Sequence, residues 1–219
     1  MPRRLAIFTL GCRVNHYESA ALADSARALG FEVVDWGEPA DIGVVNSCAL
    51  TVLAEAKTRQ AIRIFARNNP QSKIAVTGCY AQTDPHKFAQ LPNIGWVVCN
   101  RLKARTVEII SKYPAGGEPL EFADSAMPAS PEIVCGSQPL TDRMNLKIQD
   151  GCDNACAYCI IPRARGLPQS RKFDDIVRDA ENLVARGVRE IVLTGINIAK
   201  FSAPEGGLAA LVDDIHIVV

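Results

Sequence analysis

No stretch of this 219-residue chain is apolar for long enough to cross a bilayer. The basic start and the short apolar run behind it, residues 2–11, only weakly resemble a secretory leader and lead into no small-residue cleavage site, so a cytoplasmic chain is expected. An excess of charge is also missing. Lys and Arg number 24 against 24 Asp and Glu, so any contact with nucleic acid must rest on local patches and not on a global basic field. There is no internal repeat. What the chain does have is a 48% hydrophobic composition, enough for a real core, and eight cysteines, at positions 12, 48, 79, 99, 135, 152, 156 and 159. In a chain of this size outside the secretory route, such cysteines serve metal or redox chemistry more readily than disulfides.

Hydrophobic periodicity divides the chain into two stretches. Strands are expected at 5–10, 31–36, 42–45, 73–77 and 96–98, alternating with helices at 17–29, 51–69, 84–91 and 102–112. That alternation predicts an α/β fold with a parallel sheet covered on both faces. Residues 113–143, rich in Pro, Gly, Ala and Ser, read as a connector. Beyond it a strand at 144–149, a helix at 173–186, a strand at 190–193 and a last helix at 208–213 open a second α/β region. The expected domains are therefore 1–112, a linker at 113–143, and a partial domain at 144–219.

Within the second region, Cys152-Asp-Asn-Ala-Cys156-Ala-Tyr-Cys159 has the spacing CxxxCxxC. Three thiolates on one loop hold three irons of a 4Fe-4S cube and leave the fourth open to chelate the amino and carboxylate groups of S-adenosylmethionine (SAM). A tetrahedral zinc site would need a fourth ligand, and the next histidine is His216. In the first region Cys12, Cys48 and Cys79 each follow an expected strand. In a parallel sheet the carboxyl ends of the strands share one edge, where ligand sites form, so these three cysteines are candidates for a second iron-sulfur site. Cys99 also follows a strand, which leaves open a four-cysteine zinc site or simply buried thiols. Cys135 falls in the connector and is not counted as a ligand.

The residues around these cysteines carry a resemblance. Thr9-Leu-Gly-Cys-Arg-Val-Asn-His-Tyr-Glu-Ser19, Asn46-Ser-Cys48, Val76-Thr-Gly-Cys-Tyr-Ala-Gln82, the loop Gly151 to Gly166, and Glu190-Ile-Val-Leu-Thr-Gly-Ile-Asn-Ile198 resemble, in order, the motifs of the radical-SAM methylthiotransferases. The Gly-Cys-Arg-Val-Asn and Gly-Cys-Tyr-Ala-Gln versions look like the branch acting on threonylcarbamoyladenosine in tRNA. Other branches act on isopentenyladenosine or on a ribosomal-protein aspartate. The resemblance implies an N-terminal parallel-sheet domain followed by the start of a radical-SAM βα barrel. It further implies an auxiliary 4Fe-4S cluster on Cys12, Cys48 and Cys79, and a SAM-binding 4Fe-4S cluster on Cys152, Cys156 and Cys159. One SAM would methylate the inserted sulfur and a second would yield the radical that activates carbon 2 of the adenine. The implied partners are tRNA and an electron donor such as flavodoxin or ferredoxin, with no membrane. Cys99 stands where the family has Gly, Ala199 and Phe201 where it has Gly and Tyr, and Gln169 where it has Arg.

Other positions have two readings each. Tyr158, Thr194, Gly195 and Asn197 are candidate SAM contacts, the first by its backbone between two ligands and the rest at a strand's carboxyl end; the alternative is ordinary packing and a plain strand-to-helix turn. Arg59, Arg63 and Arg67 form either a phosphate-binding stripe or a solvated helix face. Arg163, Arg165, Arg171 and Lys172, beside the SAM loop, suit either substrate phosphates or the surface. From residue 144 onward there is room for about two βα units, and the closing Ile215-His-Ile-Val-Val219 shows no continuing helix. The chain is therefore expected to be a shortened form without substantial turnover.

Overall fold

The computed structural model describes residues 2–114, 119–122 and 142–218. In chain order the first region contains β1 (Arg4–Thr9), α1 (Arg13–Ala28), β2 (Glu32–Val34), β3 (Ile42–Ser47), α2 (Val52–Asn68), β4 (Lys73–Gly78), α3 (Cys79–Thr83), β5 (Ile94–Val98), α4 (Thr106–Lys112) and β6 (Leu120–Phe122). The six strands form one parallel sheet in the order β2-β1-β3-β4-β5-β6. Alternate residues of a strand point to opposite faces, and both faces here are covered. Leu5, Val44, Ala75, Trp96 and Val98 pack under α1 and α4, against Leu22, Ala26, Val107 and Ile110. On the other face Ala6, Val45, Val76 and Val97 pack with Ile62 and Phe65 of α2. β3 is consequently buried at every residue, and it reads as a continuous apolar run where a half-exposed strand would alternate.

The second region holds β7 (Arg143–Lys147), β8 (Gln149–Asp150), α5 (Ile161–Arg165), β9 (Gln169–Ser170), α6 (Phe173–Ala185), β10 (Glu190–Thr194), β11 (Ser202–Ala203), β12 (Gly206–Gly207) and α7 (Leu208–Val218). β7 and β10 pair in parallel, in register Arg143↔Glu190 to Lys147↔Thr194, with α6 as the crossover. α6 ends in a left-handed glycine, Gly187 at φ 90°. The Gly187 N–H reaches the Val184 carbonyl and the Val188 N–H the Leu183 carbonyl, which satisfies two of the helix's last acceptors. Leu146, Ile148, Phe173, Ile176, Ala180, Phe201, Leu211 and Ile215 form the core of this region. Tyr17, from α1 of the first region, is buried in the same cluster, so the two regions share a core residue.

The α/β class and the parallel sheet are as expected, and the boundaries differ for local reasons. Pro85 disfavours helical backbone at Asp84, which sits at φ −144° and ψ 60°. No α-helix therefore forms at the expected 84–91: α3 ends before it, at Thr83, and a 3-10 turn at Pro85–Phe88 stands in its place. The helix expected at 102–112 likewise begins as a 3-10 segment, Asn100–Arg105, before α4. Inside the expected connector, Leu120–Phe122 adds β6 to the sheet edge beside β5; residues 115–118 and 123–141, the latter with Cys135, lie outside the described residues. The last helix does not stop at residue 213: α7 runs on to Val218, because Leu211 and Ile215 keep one apolar face on the core. Among the described residues no helix is long and apolar enough to cross a membrane.

Truncating Tyr17 to Ala should remove packing from the shared cluster and lower stability by about 3–5 kcal/mol, the range for buried aromatic side chains. A urea titration would show this as a lowered midpoint. Leu50→Ala, at a side chain 59% exposed, should stay within about 0.5 kcal/mol of the parent.

Candidate metal centre

The strand order reverses between β1 and β3: the chain leaves β1 toward one side of the sheet and leaves β3 toward the other. At such a point the carboxyl ends of the strands open a crevice for ligands. Cys12 follows β1, Cys48 follows β3, and Cys79 follows β4, the next strand along, so three cysteines distant in sequence stand at three adjacent strand ends. Two glycines allow the approach. Gly11, at φ 108°, lies against Cys48, and a Cβ there would come within 3.0 Å of the Cys48 Cβ and Sγ. Gly78, at φ 95°, lies so close to β3 that a Cβ would sit 2.3 Å from the Ser47 carbonyl oxygen and 2.7 Å from Asn46 Oδ1. A side chain at Gly11 would press on the Cys48 thiol, and one at Gly78 on the β3 backbone just before Cys48.

The polar groups beneath the cradle are fixed. The Ser47 hydroxyl donates to the Thr77 carbonyl at 2.5 Å and accepts from the Ala81 N–H at 3.2 Å. The Asn46 amide donates to the Asn15 carbonyl and to Ser19 Oγ, both at 2.9 Å. Asn46 Oδ1 and Thr77 Oγ1 are buried with no hydrogen-bond partner among the described residues. Cys12 is exposed, whereas Cys48 and Cys79 are buried. Burial pushes the Cys48 thiol above its ordinary pKa, and the neighbouring Cys79 and Cys12 sulfurs push the same way, against the Leu50 N–H and Arg165. Binding of a metal group at this sulfur would release its proton.

The second set lies on the loop between β8 and α5. Gly151, at φ 70°, precedes Cys152; a Cβ there would stand 2.1 Å from the Leu167 carbonyl oxygen, so only glycine brings the two ends of the loop together. The Cys152 N–H bonds the Gly166 carbonyl and closes the loop, and the Cys159 N–H bonds the Cys156 carbonyl, both at 3.0 Å. Cys152 is buried, Cys159 half-buried and Cys156 exposed. Gln149 links this loop to the one after β10: its amide donates to the Asp150 and Gly151 carbonyls, and its Oε1 accepts from the Asn197 N–H at 2.9 Å. The Asn197 amide in turn lies 3.9 Å from Cys152 Sγ. Thr194 is buried at the end of β10, Gly195 packs on Gln149, and Tyr158 is 92% exposed. Asn197 and Gly195 are thus brought to the second cysteine loop, while the Tyr158 ring takes no part in packing.

The two cysteine sets meet across a buried charged group. α3, which begins with Cys79, packs against α5, which follows Cys159 and ends with Arg165. The Arg165 side chain is fully buried; its guanidinium bonds Asn15 Oδ1 at 2.5 Å, the Glu18 carboxylate at 3.1 and 3.2 Å, and Asp150 at 2.8 and 2.9 Å. Glu18 also takes Lys103 at 2.6 Å and Lys147 at 2.7 Å, and Lys147 takes Asp150 at 2.6 Å. Burial alone would raise the Glu18 carboxyl, but Arg165, Lys103 and Lys147 together outweigh it and hold the group well below the usual carboxylate range. Asn15 continues the chain of contacts, donating to the Leu10 and Ser47 carbonyls at 2.7 and 3.2 Å, one residue from Gly11 and from Cys48.

Several expectations change here. Arg165 and Arg171 are not surface cations for a phosphate. Arg171 is buried and bonds Asp179 at 2.8 Å, the Lys147 carbonyl and the Tyr17 hydroxyl, while Arg163 and Lys172 remain exposed. Arg59 is drawn to the Tyr80 hydroxyl and Glu55, leaving Arg63 and Arg67 exposed on α2. Cys99 packs as a small hydrophobe in the α1 and α4 cluster. Among the described residues no three His, Cys, Asp or Glu side chains converge tightly enough to hold a single metal ion. A three-thiolate cube asks instead for sulfurs spaced around it; the donor set at the three adjacent strand ends, all free cysteines with Gly11 against Cys48, is of the chemistry such a group takes. Sequence reading missed Asn15, Glu18, Lys103, Lys147, Asp150 and Gln149. The available signal was Asn15, Glu18 and Ser19, polar residues at helical spacing on the buried face of α1.

Residues 4–99 match the Uncharacterized protein family UPF0004, and residues 146–199 match the Radical SAM superfamily. The chain is 40% identical over 195 residues to the threonylcarbamoyladenosine tRNA methylthiotransferase MtaB of Bacillus subtilis (strain 168), covering 88% of this chain and 43% of the relative. It is 38% identical over 207 residues to the protein of the same name from Chlamydia pneumoniae, covering 94% and 46%. It is 30% identical over 223 residues to a tRNA-2-methylthio-N(6)-dimethylallyladenosine synthase of Cereibacter sphaeroides (strain ATCC 17029 / ATH 2.4.9), covering 97% and 50%. The resemblance to radical-SAM methylthiotransferases read from the motifs therefore holds over most of the chain, which spans half the length of these curated relatives or less.

Replacing Glu18 by Gln leaves three buried cations facing Asp150 alone and should cost about 3–5 kcal/mol. The contribution of Glu18 is complete above its ordinary pKa near 4.5 and is lost as pH falls through its depressed folded value. Urea midpoints measured across the acid range should therefore fall more steeply for the parent than for Glu18→Gln.

Proposed function

We propose that this chain supplies the two cysteine sites of a radical-SAM methylthiotransferase acting on tRNA, the reaction being addition of a methylthio group to carbon 2 of N6-threonylcarbamoyladenosine at position 37, beside the anticodon. One observation carries the reading: three cysteines at adjacent strand ends by the switch point of a parallel sheet, and three on the single loop between β8 and α5, are joined by the packing of α3 on α5. In this reading residues 1–112 and 144–219 are two domains joined by 113–143, working in the cytoplasm with tRNA and an electron donor such as flavodoxin or ferredoxin. Identities of 40% and 38% to proteins named for threonylcarbamoyladenosine, against 30% to one named for dimethylallyladenosine, support the choice of nucleoside.

Cys12, Cys48 and Cys79 would hold an auxiliary 4Fe-4S cluster, and Cys152, Cys156 and Cys159 a second one with SAM. When bound, these groups supply the electron for reductive cleavage of SAM and the site that handles the inserted sulfur. The protein's part is placement. Gly11 and Gly78 let three strand ends close around the first group, and the Gly151 turn closes the loop around the second. Gln149 fixes the Asn197 backbone, so that Asn197, with Thr194 and Gly195, presents a preformed edge to SAM beside Cys152. Tyr158 offers a free ring and backbone at the same opening. Exposed Arg63, Arg67, Arg163 and Lys172 are among the cations available to tRNA phosphates.

The two cysteine sets should separate in experiment. After anaerobic reconstitution, Cys156→Ala should abolish reductive cleavage of SAM, read as 5′-deoxyadenosine. In a chain of the curated relatives' full length, Cys48→Ala should keep cleavage, yet tRNA from cells carrying only that variant should lack the 2-methylthio nucleoside by mass spectrometry. Undiminished 5′-deoxyadenosine from Cys156→Ala, or normal methylthiolation with Cys48→Ala, would overturn the assignment. Accumulation of the dimethylallyl product in place of the threonylcarbamoyl one would move the substrate to the other branch.

A further inference from the structure

Among the described residues the buried group where the two regions meet carries one more cation than carboxylate. Arg165, Lys103 and Lys147 face two carboxylates, Glu18 and Asp150, and the neighbouring Arg171 is matched by its own Asp179. Lys103, Arg165 and Glu18 have side chains no more than 3% exposed, while Lys147 is 11% and Asp150 24% exposed, so water reaches the Asp150 end of the group and not the Lys103 and Arg165 end. Arg165 Nε is buried with no hydrogen-bond partner among the described residues. The surplus lies on the side of the first cysteine set. Arg165 bonds Asn15, and the Asn15 amide lies 3.1 Å from where a Gly11 Cβ would stand, a point itself 3.0 Å from Cys48 Sγ. α5, which carries Arg165, packs against α3, which begins at Cys79.

An isolated buried cation is costly unless paired. A thiolate-ligated iron-sulfur group is anionic, and nearby charge and hydrogen bonds set its potential. We propose that Arg165, supplied by the loop of the second cysteine set, is a positioning residue whose buried charge, with that of Lys103, neutralises the iron-sulfur group held by Cys12, Cys48 and Cys79 and raises its reduction potential. The cradle so formed is complete only when the two cysteine loops are docked. Assembly of the first site is thereby tied to the presence of the second loop's arginine, though that arginine is not a ligand. This rests on the ligand assignment proposed above.

The test uses the full 219-residue chain with Cys152, Cys156 and Cys159 replaced by Ala, so that iron on the first set is observed alone. After anaerobic reconstitution, iron content and a potentiometric titration of the one-electron couple, poised with dithionite and mediators and followed by electron paramagnetic resonance, are the readouts. Arg165→Gln and Lys103→Gln should each shift the midpoint potential downward. Arg165→Lys, which keeps the charge, should restore most of the shift, and Glu18→Gln, which removes a negative charge, should move the potential upward. Opposite signs from two changes that both weaken the contact are what a purely structural role does not give. Potentials unchanged in Arg165→Gln and Lys103→Gln, or shifted the same way by Glu18→Gln, overturn the proposal while leaving the ligand assignment standing. Failure of the unaltered first set to take up iron overturns the assignment, and the proposal with it. If Arg165→Gln does not fold, Lys103→Gln against Glu18→Gln decides.

Discussion

The Glu18–Arg165 contact is the constraint on which the rest of the arrangement depends. It joins a helix of the first region to the cysteine loop of the second, and it does so out of water, where an ion pair is held tightly and a missing partner is costly. Hydrophobic packing alone would bring the regions together: Tyr17 already sits in the second core. Packing tolerates sliding, however, whereas five charges and an asparagine with fixed donors and acceptors have one register. That register sets α3 on α5 and, with them, Cys79 beside the loop of Cys152, Cys156 and Cys159.

Much of this was legible in the chain. Continuous apolar runs such as 42–45 announced buried parallel strands, and the cysteines after them were readable as a shared edge because carboxyl ends of parallel strands coincide. Which strands are neighbours was not readable. The order that puts β1, β3 and β4 side by side depends on β2 crossing to the far side of β1, a choice made by long-range packing. Asp84 and Pro85 show the opposite case. The proline was visible, but an apolar pattern at 84–91 masked its local effect on the residue before it, and the helix moved back onto Cys79.

The charged group was the least legible feature. Lys103, Lys147 and Arg165 lie in three separate segments and look like ordinary surface cations in the sequence, since such residues are seldom buried without a partner. Their burial follows only when the partner, Glu18, is known to face inward. The clue lay on α1, whose inward stripe mixes Asn15, Glu18 and Ser19 with Val14 and Leu22. A stripe of this kind is neither core nor surface, and its meaning is an interface.

The first turns of α1 carry the arrangement in helical phase. Within seven residues the chain sets Cys12 at the sheet crevice, Asn15 between Ser47 and Arg165, Tyr17 in the second core and Glu18 under three cations. Each partner lies at its own azimuth around one axis. Because successive residues of an α-helix are turned by about 100°, a single inserted or deleted residue between Cys12 and Glu18 would swing every one of these groups off its mark at once. The segment therefore behaves as a key of fixed length, in which point changes are open to compensation but changes of count are not.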